Sequence, residues 1–598
     1  MRLEKLRNVM KKRGLECALV FTCDEHGSEY IDGYYKFREY LSGFDGSAGT
    51  LLVTKDEAGL WTDGRYFIQA QAQLEGTGID LHRMGETGVK DIYEYIRDLA
   101  GAYGKGYRIG VDLKLIPKTS YDRLIKISKN TGCIIEDTDL AKDVWTDRPG
   151  LTHEPVYVLP QEAAGRSVAD KLAGLRAKLD RLGADSVIIS NLSDVMWTFN
   201  VRGNDILYNP VAISYGFVDM DRACIYLYPE STTDDLKAVL KDSDVSVRAY
   251  DDFEEDMEHL EGKKILCDPA TLNAHIYSVI RSNEIINRPS WEYIEKHLKN
   301  RTECDLAAKW HIEDGLAVTR FIYRIKQEVL KSHDVGKPLN EYEAAMMIDG
   351  LRSEIPGNRG LSFDTIAAYG TNGAIVHYSP AEEGSARLEP EGFLLVDSGG
   401  QYDGATTDVT RTIALGPLTY EMKRDYTLVL KGMLDLADAV FLDGTRGENL
   451  DILARRPMWE HYTDYRHGTG HGVGAQLSVH EGPQAFRFKI NRDSDQPKLM
   501  PGMITSDEPG LYLEGRYGIR IENLLLCIGK EANVWGTFYG FETLTSVPYE
   551  KDAILADMLT DRQKEILNEY NRRVYELYKD RLDKEERDWL YTVTLPFV

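Results

Sequence analysis

The chain has 598 residues, 42% hydrophobic and 28% charged, and a net charge of -25. That length is too great for one hydrophobic core and implies about three to five domains. The acidic balance argues against nucleic acid, whose phosphates reward clustered Lys and Arg, and against a polybasic membrane anchor.

The opening stretch MRLEKLRNVMKKRG lacks the apolar core and cleavage site of a signal peptide. Its spacing predicts an amphipathic helix over 2–13, ended by Gly14, then a strand at Cys17–Phe21. Thr50–Thr54 and Gly59–Thr62 predict a hairpin around Lys55-Asp56-Glu57. The same order returns further along: a helix over 168–182, Gly183, a strand at Ser186–Ser190, and a hairpin of Val211–Val218 with Ala223–Tyr228. Residues 1–148 and 149–300 are therefore expected to be two related α/β domains with mixed sheets, joined in the polar, Pro-bearing stretch Thr146–Pro155. Apolar residues at helical spacing from Glu303 to Val329, among them Leu306, Trp310, Phe321 and Ile325, predict a long helix. It opens a third region, 301–598, that alternates strands with Gly-rich turns and ends past Thr560 in charged helical segments. No apolar run approaches the ~20 residues that span a bilayer. The seven cysteines are scattered and show no CxxC spacing, which favours free thiols in a reducing compartment. A cytoplasmic location is expected, and the sequon Asn300-Arg301-Thr302 is read as chance.

The last third of the chain carries Asp397, Asp408, His471, Glu508 and Glu522, each in a short Gly-marked segment. If Asp403-Gly404 forms a two-residue hairpin turn, Asp397 faces Thr410 and Asp408 lies diagonal to Asp397 on the same face, about 7–8 Å away at Cα. With a three-residue loop at Glu514-Gly515-Arg516, Glu508 lies across from Glu522, so both pairs are expected on paired strands of one curved sheet. A lone buried Asp on a strand is usually a structural hydrogen-bonding group. Five such residues in this order instead offer hard oxygen ligands and one imidazole to two divalent cations, a set suited to Mn²⁺ and its neighbours. His467 and His471 have HExxH spacing without its Glu, and the interleaved glycines at 468, 470, 472 and 474 oppose a helix. His467 keeps two readings, support of the site or simple packing.

At these motifs the chain resembles the pita-bread metallopeptidases, whose dinuclear site uses Asp, Asp, His, Glu and Glu in this order. The stretches SGFDGSAGT and WTDGRYF within Ser42–Phe67, Asn372–Tyr378 (NGAIVHY), Trp197–Tyr208 and the region from Phe541 narrow the likeness to the three-domain cytosolic aminopeptidase P family. It covers nearly the whole chain. The likeness implies an α/β (α+β) protein in which two creatinase-like N-terminal domains precede a pita-bread catalytic domain with a C-terminal helical extension. It also implies that Asp408 and Glu522 bridge two metals, most commonly Mn²⁺, that Asp397 is a ligand, and that His471 and Glu508 share one metal. His377 and His480 match the family's substrate-contacting histidines, Arg65 a position that reaches the substrate, and Arg520 a residue near the network of the metal-bound water. Gly400 and the order Asp403-Gly404-Ala405 depart from the commonest form of the first motif, but the spacing of the two aspartates is kept.

The activity so implied is that of an Xaa-Pro aminopeptidase: hydroxide bridging the two metals attacks the first peptide bond, the histidines stabilise the oxyanion, and Glu508 shuttles the proton to the proline nitrogen. A homodimer acting on peptides that begin Xaa-Pro is expected. The alternatives are an Xaa-Pro dipeptidase, and a metal-free pita-bread scaffold that binds proteins.

Overall fold

The computed structural model describes residues 2–489 and 496–598. Two compact units result, one of residues 1–161 and 166–295, the other of 162–165 and 296–598.

The first unit contains two six-stranded sheets of the same design. In the first, the strand order is Asp80–Arg83, Ala58–Thr62, Thr50–Thr54, Cys17–Phe21, Arg108–Val111 and Ile134–Asp137. In the second it is Val245–Ala249, Ala223–Leu227, Ser214–Asp219, Ser186–Ile189, Lys264–Cys267 and Glu284–Asn287. In both, the first strand in sequence pairs antiparallel with the hairpin on one side and parallel with the later strand on the other. The repeat expected from helix, strand and hairpin is thus present. Helices Arg2–Arg13 and Val168–Leu182 end where expected, at Gly14 and Gly183, both with positive φ. Within this unit a loop from the first sheet's region docks on the second. His26 bonds Ser190 O at 3.0 Å and the Tyr250 hydroxyl at 2.9 Å, and Asn273 Nδ2 donates to Glu25 O at 2.9 Å.

The second unit opens with the long helix, which runs Arg301–Asp334. It starts before the expected Glu303 because Asn300 caps it: Glu303 N–H donates to the Asn300 side chain and Glu303 in turn accepts from Asn300 N–H, the reciprocal pattern of a capping box. Its apolar face, with Phe321, Ile322, Ile325 and Val329, packs with Leu394, Val396, Val409 and Ile413 from the strands behind it, each such burial worth about 1.5–3 kcal/mol. Those strands are Phe393–Ser398 and Val409–Ala414, with Ile366–Tyr369 on the outer side. Gly510–Leu513 pairs with Tyr517–Arg520. A third ladder joins Ile504–Asp507, Asn523–Asn533, Gly536–Thr543 and Phe441–Leu442. The one curved sheet expected for both carboxylate pairs is therefore several short ladders. They are stitched together by Glu522 N–H to Thr410 O at 3.1 Å and by the Thr412 hydroxyl to Arg520 O at 2.9 Å. The tail is helical over Asp561–Tyr578 and Lys584–Val593. All seven cysteines are free, and among the described residues no helix is long and apolar enough to cross a membrane.

Candidate metal centre

Turn chemistry sets the first carboxylate pair. Asp403-Gly404 is the two-residue turn between Tyr402 and Ala405, with Gly404 at φ +84°, a conformation that suits glycine. Counting back from it places Asp397 opposite Thr410, as the sequence predicts, with Asp408 in the short gap between the strands Ala405–Thr406 and Val409–Ala414.

The second pair is set the same way. Leu513 pairs with Tyr517 across the loop 514–516, and the register runs to Gly510 opposite Arg520. Beyond the break at Pro509 it resumes unchanged with Asp507 opposite Asn523. Glu508 and Glu522 lie opposite each other inside that break, where neither amide serves the ladder. Glu508 N–H donates to Thr469 O at 2.8 Å and Glu522 N–H to Thr410 O. The two side chains are free to turn inward while no backbone donor is left unpaired.

His471 comes from a short strand, Gly470–His471, paired with Ala485–Phe486. The glycines on either side permit close backbone packing rather than a helix. A Cβ on Gly470 would stand 1.7 Å from Ser506 O, and one on Gly472 2.0 Å from Glu481 O. His471 Nδ1 lies 3.0 Å from Gly472 O. A carbonyl oxygen can only accept, so Nδ1 carries a proton, and Nε2 is the nitrogen that can bind a cation once it has lost its own. That Nε2 is 3.5 Å from Asp408 Oδ2 and 3.4 Å from Glu508 Oε1. Asp408, His471 and Glu522 each offer an atom within 4.8 Å of the others.

Neighbouring side chains hold the carboxylates. Arg520 donates to Asp397 Oδ2 through Nη2 at 2.6 Å and Nε at 3.2 Å. Asp397 Oδ1 is buried and has no hydrogen-bond partner. Thr410 donates to Glu522 Oε2 at 2.9 Å, and Ser506 to Glu508 Oε1 at 3.2 Å. Burial raises the pKa of Asp397, Glu508 and Glu522, and the carboxylates raise one another's further. Burial also opposes a charge on His471, yet Asp408 and Glu508 together push it up to about 9. Four acids against one guanidinium and one imidazole leave negative charge in excess, the electrostatic pattern that divalent cations relieve.

The remaining residues singled out in the sequence fall into three places. The His480 ring meets the His471 ring edge-on, with centroids 4.3 Å apart. His377 follows Val376, whose carbonyl accepts from Arg520 Nη2 at 3.3 Å. Arg65 belongs to the first unit, where Asp63 accepts from its Nε and Nη2, both at 2.9 Å, and Glu29 from its Nη1 at 3.3 Å. His467 is linked to Arg520 by hydrogen bonds: its Nδ1 donates to Gly468 O, and its Nε2 accepts from Tyr512, whose oxygen accepts from Arg520 Nη1. Sequence reasoning missed Tyr512, and also Glu341. The buried Glu341 carboxylate accepts from Tyr369 N–H, the Asn372 amide, the Tyr378 hydroxyl and Ala386 N–H, and so fixes the loop that carries His377. Nothing local marks Glu341, whose partners lie far away in sequence, and Tyr512 stands eight residues before Arg520 with no motif to single it out.

Comparison with known proteins agrees with this geometry along the whole chain. The sequence profile described as metallopeptidase family M24 matches residues 305–528, and its C-terminal region matches 537–597. Creatinase/prolidase N-terminal domains match 2–142 and 147–303. A probable Xaa-Pro aminopeptidase P of Sordaria macrospora is 38% identical over 100% of this chain and 99% of its own. Aminopeptidase P1 of Arabidopsis thaliana is 35% identical over 99% of each. The crystal structure of an X-prolyl aminopeptidase from Caenorhabditis elegans superposes with a TM-score of 0.93 at 33% identity, covering 100% of this chain and 99% of that one. It is described as a cytosolic enzyme with a di-nuclear active site. With matches of this extent to every part of it, the chain belongs to metallopeptidase family M24, in its Xaa-Pro aminopeptidase P branch.

Proposed function

We propose that this protein removes the first residue from peptides whose second residue is proline, using two divalent cations held by Asp397, Asp408, His471, Glu508 and Glu522. The observation that carries the proposal is the donor set itself. His471 Nε2 stands 3.5 Å from Asp408 and 3.4 Å from Glu508, and Asp397 Oδ1 is buried without a hydrogen-bond donor. Four hard carboxylates and one imidazole suit Mn²⁺ better than softer ions. Bound there, the cations would polarise the substrate carbonyl and supply a nucleophilic water at neutral pH.

The chain's own groups do the rest. Arg520, Thr410 and Ser506 fix the orientation of Asp397, Glu522 and Glu508, and such outer partners are worth about 10–100-fold in affinity or activity. The Glu508 side chain is 18% exposed, against 12% for Asp397 and 6% for Asp408. It is the carboxylate nearest solvent and carries the proton to the leaving proline nitrogen. His377 and His480 donate to the carbonyl oxygen as it gains charge, a contribution of roughly 3–4 kcal/mol per donor in comparable sites. Arg65, preset by Asp63 and Glu29, contacts the peptide. Proline at the second position brings no amide N–H to be satisfied, and the proline preference is supported by the relatives named for it.

Manganese as the working ion, a homodimer and a cytoplasmic location belong to the same proposal. So does a division into 1–148, 149–300 and 301–598. The test is hydrolysis of Arg-Pro-Pro and Arg-Ala-Ala in Mn²⁺ by the native protein and by Asp408→Ala. Arginine should be released from the proline peptide alone, and the variant should be inactive. Equal cleavage of the two peptides would refute the proline preference, and no release from any tripeptide would favour a dipeptidase.

A further inference from the structure

One buried charge cluster stands just outside the metal centre. Lys296 Nζ donates to Glu481 Oε2 at 2.9 Å, and Lys299 Nζ to Glu481 Oε1 at 2.5 Å and to Lys296 O at 3.1 Å. Glu481 is 3% exposed, and the Lys299 side chain 1%. Two ammonium groups and a carboxylate are costly to remove from water, and such a cluster is weak evidence for stability alone. Its location suggests what else it does.

Glu481 directly follows His480 in the chain. Its backbone N–H donates to Gly472 O at 2.7 Å, next to His471, so its main chain is tied to the strand end that presents the imidazole. Its side chain is gripped by the lysines, and the His480 ring rests against the His471 ring. The lysines are themselves anchored. Lys299 N–H donates to Gly502 O at 2.9 Å, where a Cβ on Gly502 would stand 2.7 Å from Lys299 O. Gly502 leads into Ile504–Asp507, the strand that delivers Glu508. The Glu481 carboxylate is thus held by the lysines beside Gly502, while its backbone N–H separately meets the strand end of His471.

We propose that Glu481, clamped by Lys296 and Lys299, is a positioning residue that holds His480 at the reacting carbonyl. This rests on the role given to His480 above. A donor displaced by about 1 Å can cost on the order of 100-fold in rate, whereas the cation ligands are held by other contacts.

The experiment is a double-mutant cycle with Arg-Pro-Pro in saturating Mn²⁺, measuring kcat, KM and bound manganese for Glu481→Gln, His480→Ala and the double variant. Glu481→Gln should lower kcat about 10–100-fold, change KM less than about twofold, and keep the native manganese content. In the His480→Ala background the second substitution should cost nothing further, because residues that act through one another are not additive. Lys296→Met keeps a balanced Lys299–Glu481 pair; it should fold normally and lower kcat with the same unchanged KM, which covers the case of a Glu481→Gln variant that does not fold. Losses that multiply in the double variant, a native kcat in Glu481→Gln or Lys296→Met, or a loss of manganese matching the loss of rate would each overturn the proposal. A fully active His480→Ala would remove the role of His480 itself. Failure of the cycle with His480→Ala still inactive would leave that role standing.

Discussion

Arg520 binds a single oxygen of Asp397 with two of its N–H groups and leaves the other oxygen bare. A guanidinium can do this because its donors are held in one plane; a lysine ammonium offers a point charge instead. Arg520→Lys should therefore keep the charge and lose the orientation. Manganese titration by calorimetry should show affinity weakened about 10–100-fold, with a fall in kcat. An unchanged titration curve would mean that Asp397 needs no such support.

Hydrogen bonding runs in one direction from Arg520 through Tyr512 to His467 and ends at Gly468 O. His467→Phe keeps a ring of similar size beside Tyr465 but removes the acceptor for Tyr512. Its hydrogen bond to Gly468 O is lost as well, and the loss of the Tyr512 bond that links it to Arg520 predicts a kcat roughly 3–10-fold lower with bound metal unchanged, read by steady-state kinetics and metal analysis. If His467 served packing alone, the rate would not move.

Glu25 gives a pH dependence away from the metal centre. Burial pushes its carboxyl up to about 7 from an ordinary 4.5, with Lys114 pulling the other way. A carboxyl whose pKa is higher folded than unfolded binds its proton more tightly in the folded state. Its stabilisation is fully present below about 4.5 and is lost as pH rises through about 7. Glu25→Gln imitates the protonated form at every pH. The Tm of the variant relative to the native protein should rise by roughly 2–5 °C between about pH 6 and 8.5. A difference that stays flat over that range would show that the charge is not buried at a cost.

Two glycines should respond in opposite senses. At Gly470 a Cβ would overlap Ser506 O, so Gly470→Ala should destabilise by about 3 kcal/mol or more and weaken metal binding. Gly101 lies inside helix Ile92–Tyr103 with nothing within 4 Å of an added Cβ, and Gly101→Ala should stabilise by about 0.5–1 kcal/mol. Thermal scanning of both variants compares them directly, and a neutral Gly470→Ala would contradict the packing described.

What was legible in the sequence divides by range. Asp397 opposite Thr410 followed from one turn dipeptide, and the placing of Glu508 against Glu522 followed from the length of one loop, because a strand register is a matter of counting once its turn is known. The helices ending at Gly14 and Gly183 were likewise local signals. The division into separate ladders was not legible, since it depends on the break at Pro509 and on amides that leave their own strand for Thr469 and Thr410. Nor were the roles of Glu341, Tyr512 and Glu481. Apart from Arg520, eight residues from Tyr512, the side-chain partners named for them stand tens to hundreds of residues away, and no spacing along one chain records such a meeting.

The unchanged register across Pro509 has a consequence for variation. Glu514, Gly515 and Arg516 are exposed; Gly515 holds φ at +73°, which suits glycine, while the side chains at 514 and 516 are open to change. The number of loop residues is not. A residue gained or lost there would shift Glu508 past Glu522 and turn one carboxylate to the wrong face unless a bulge absorbed it. The loop acts as a length gauge for the metal centre, and a library that varies residues 514 and 516 around a fixed Gly515 should keep activity where one that varies the loop's length loses it.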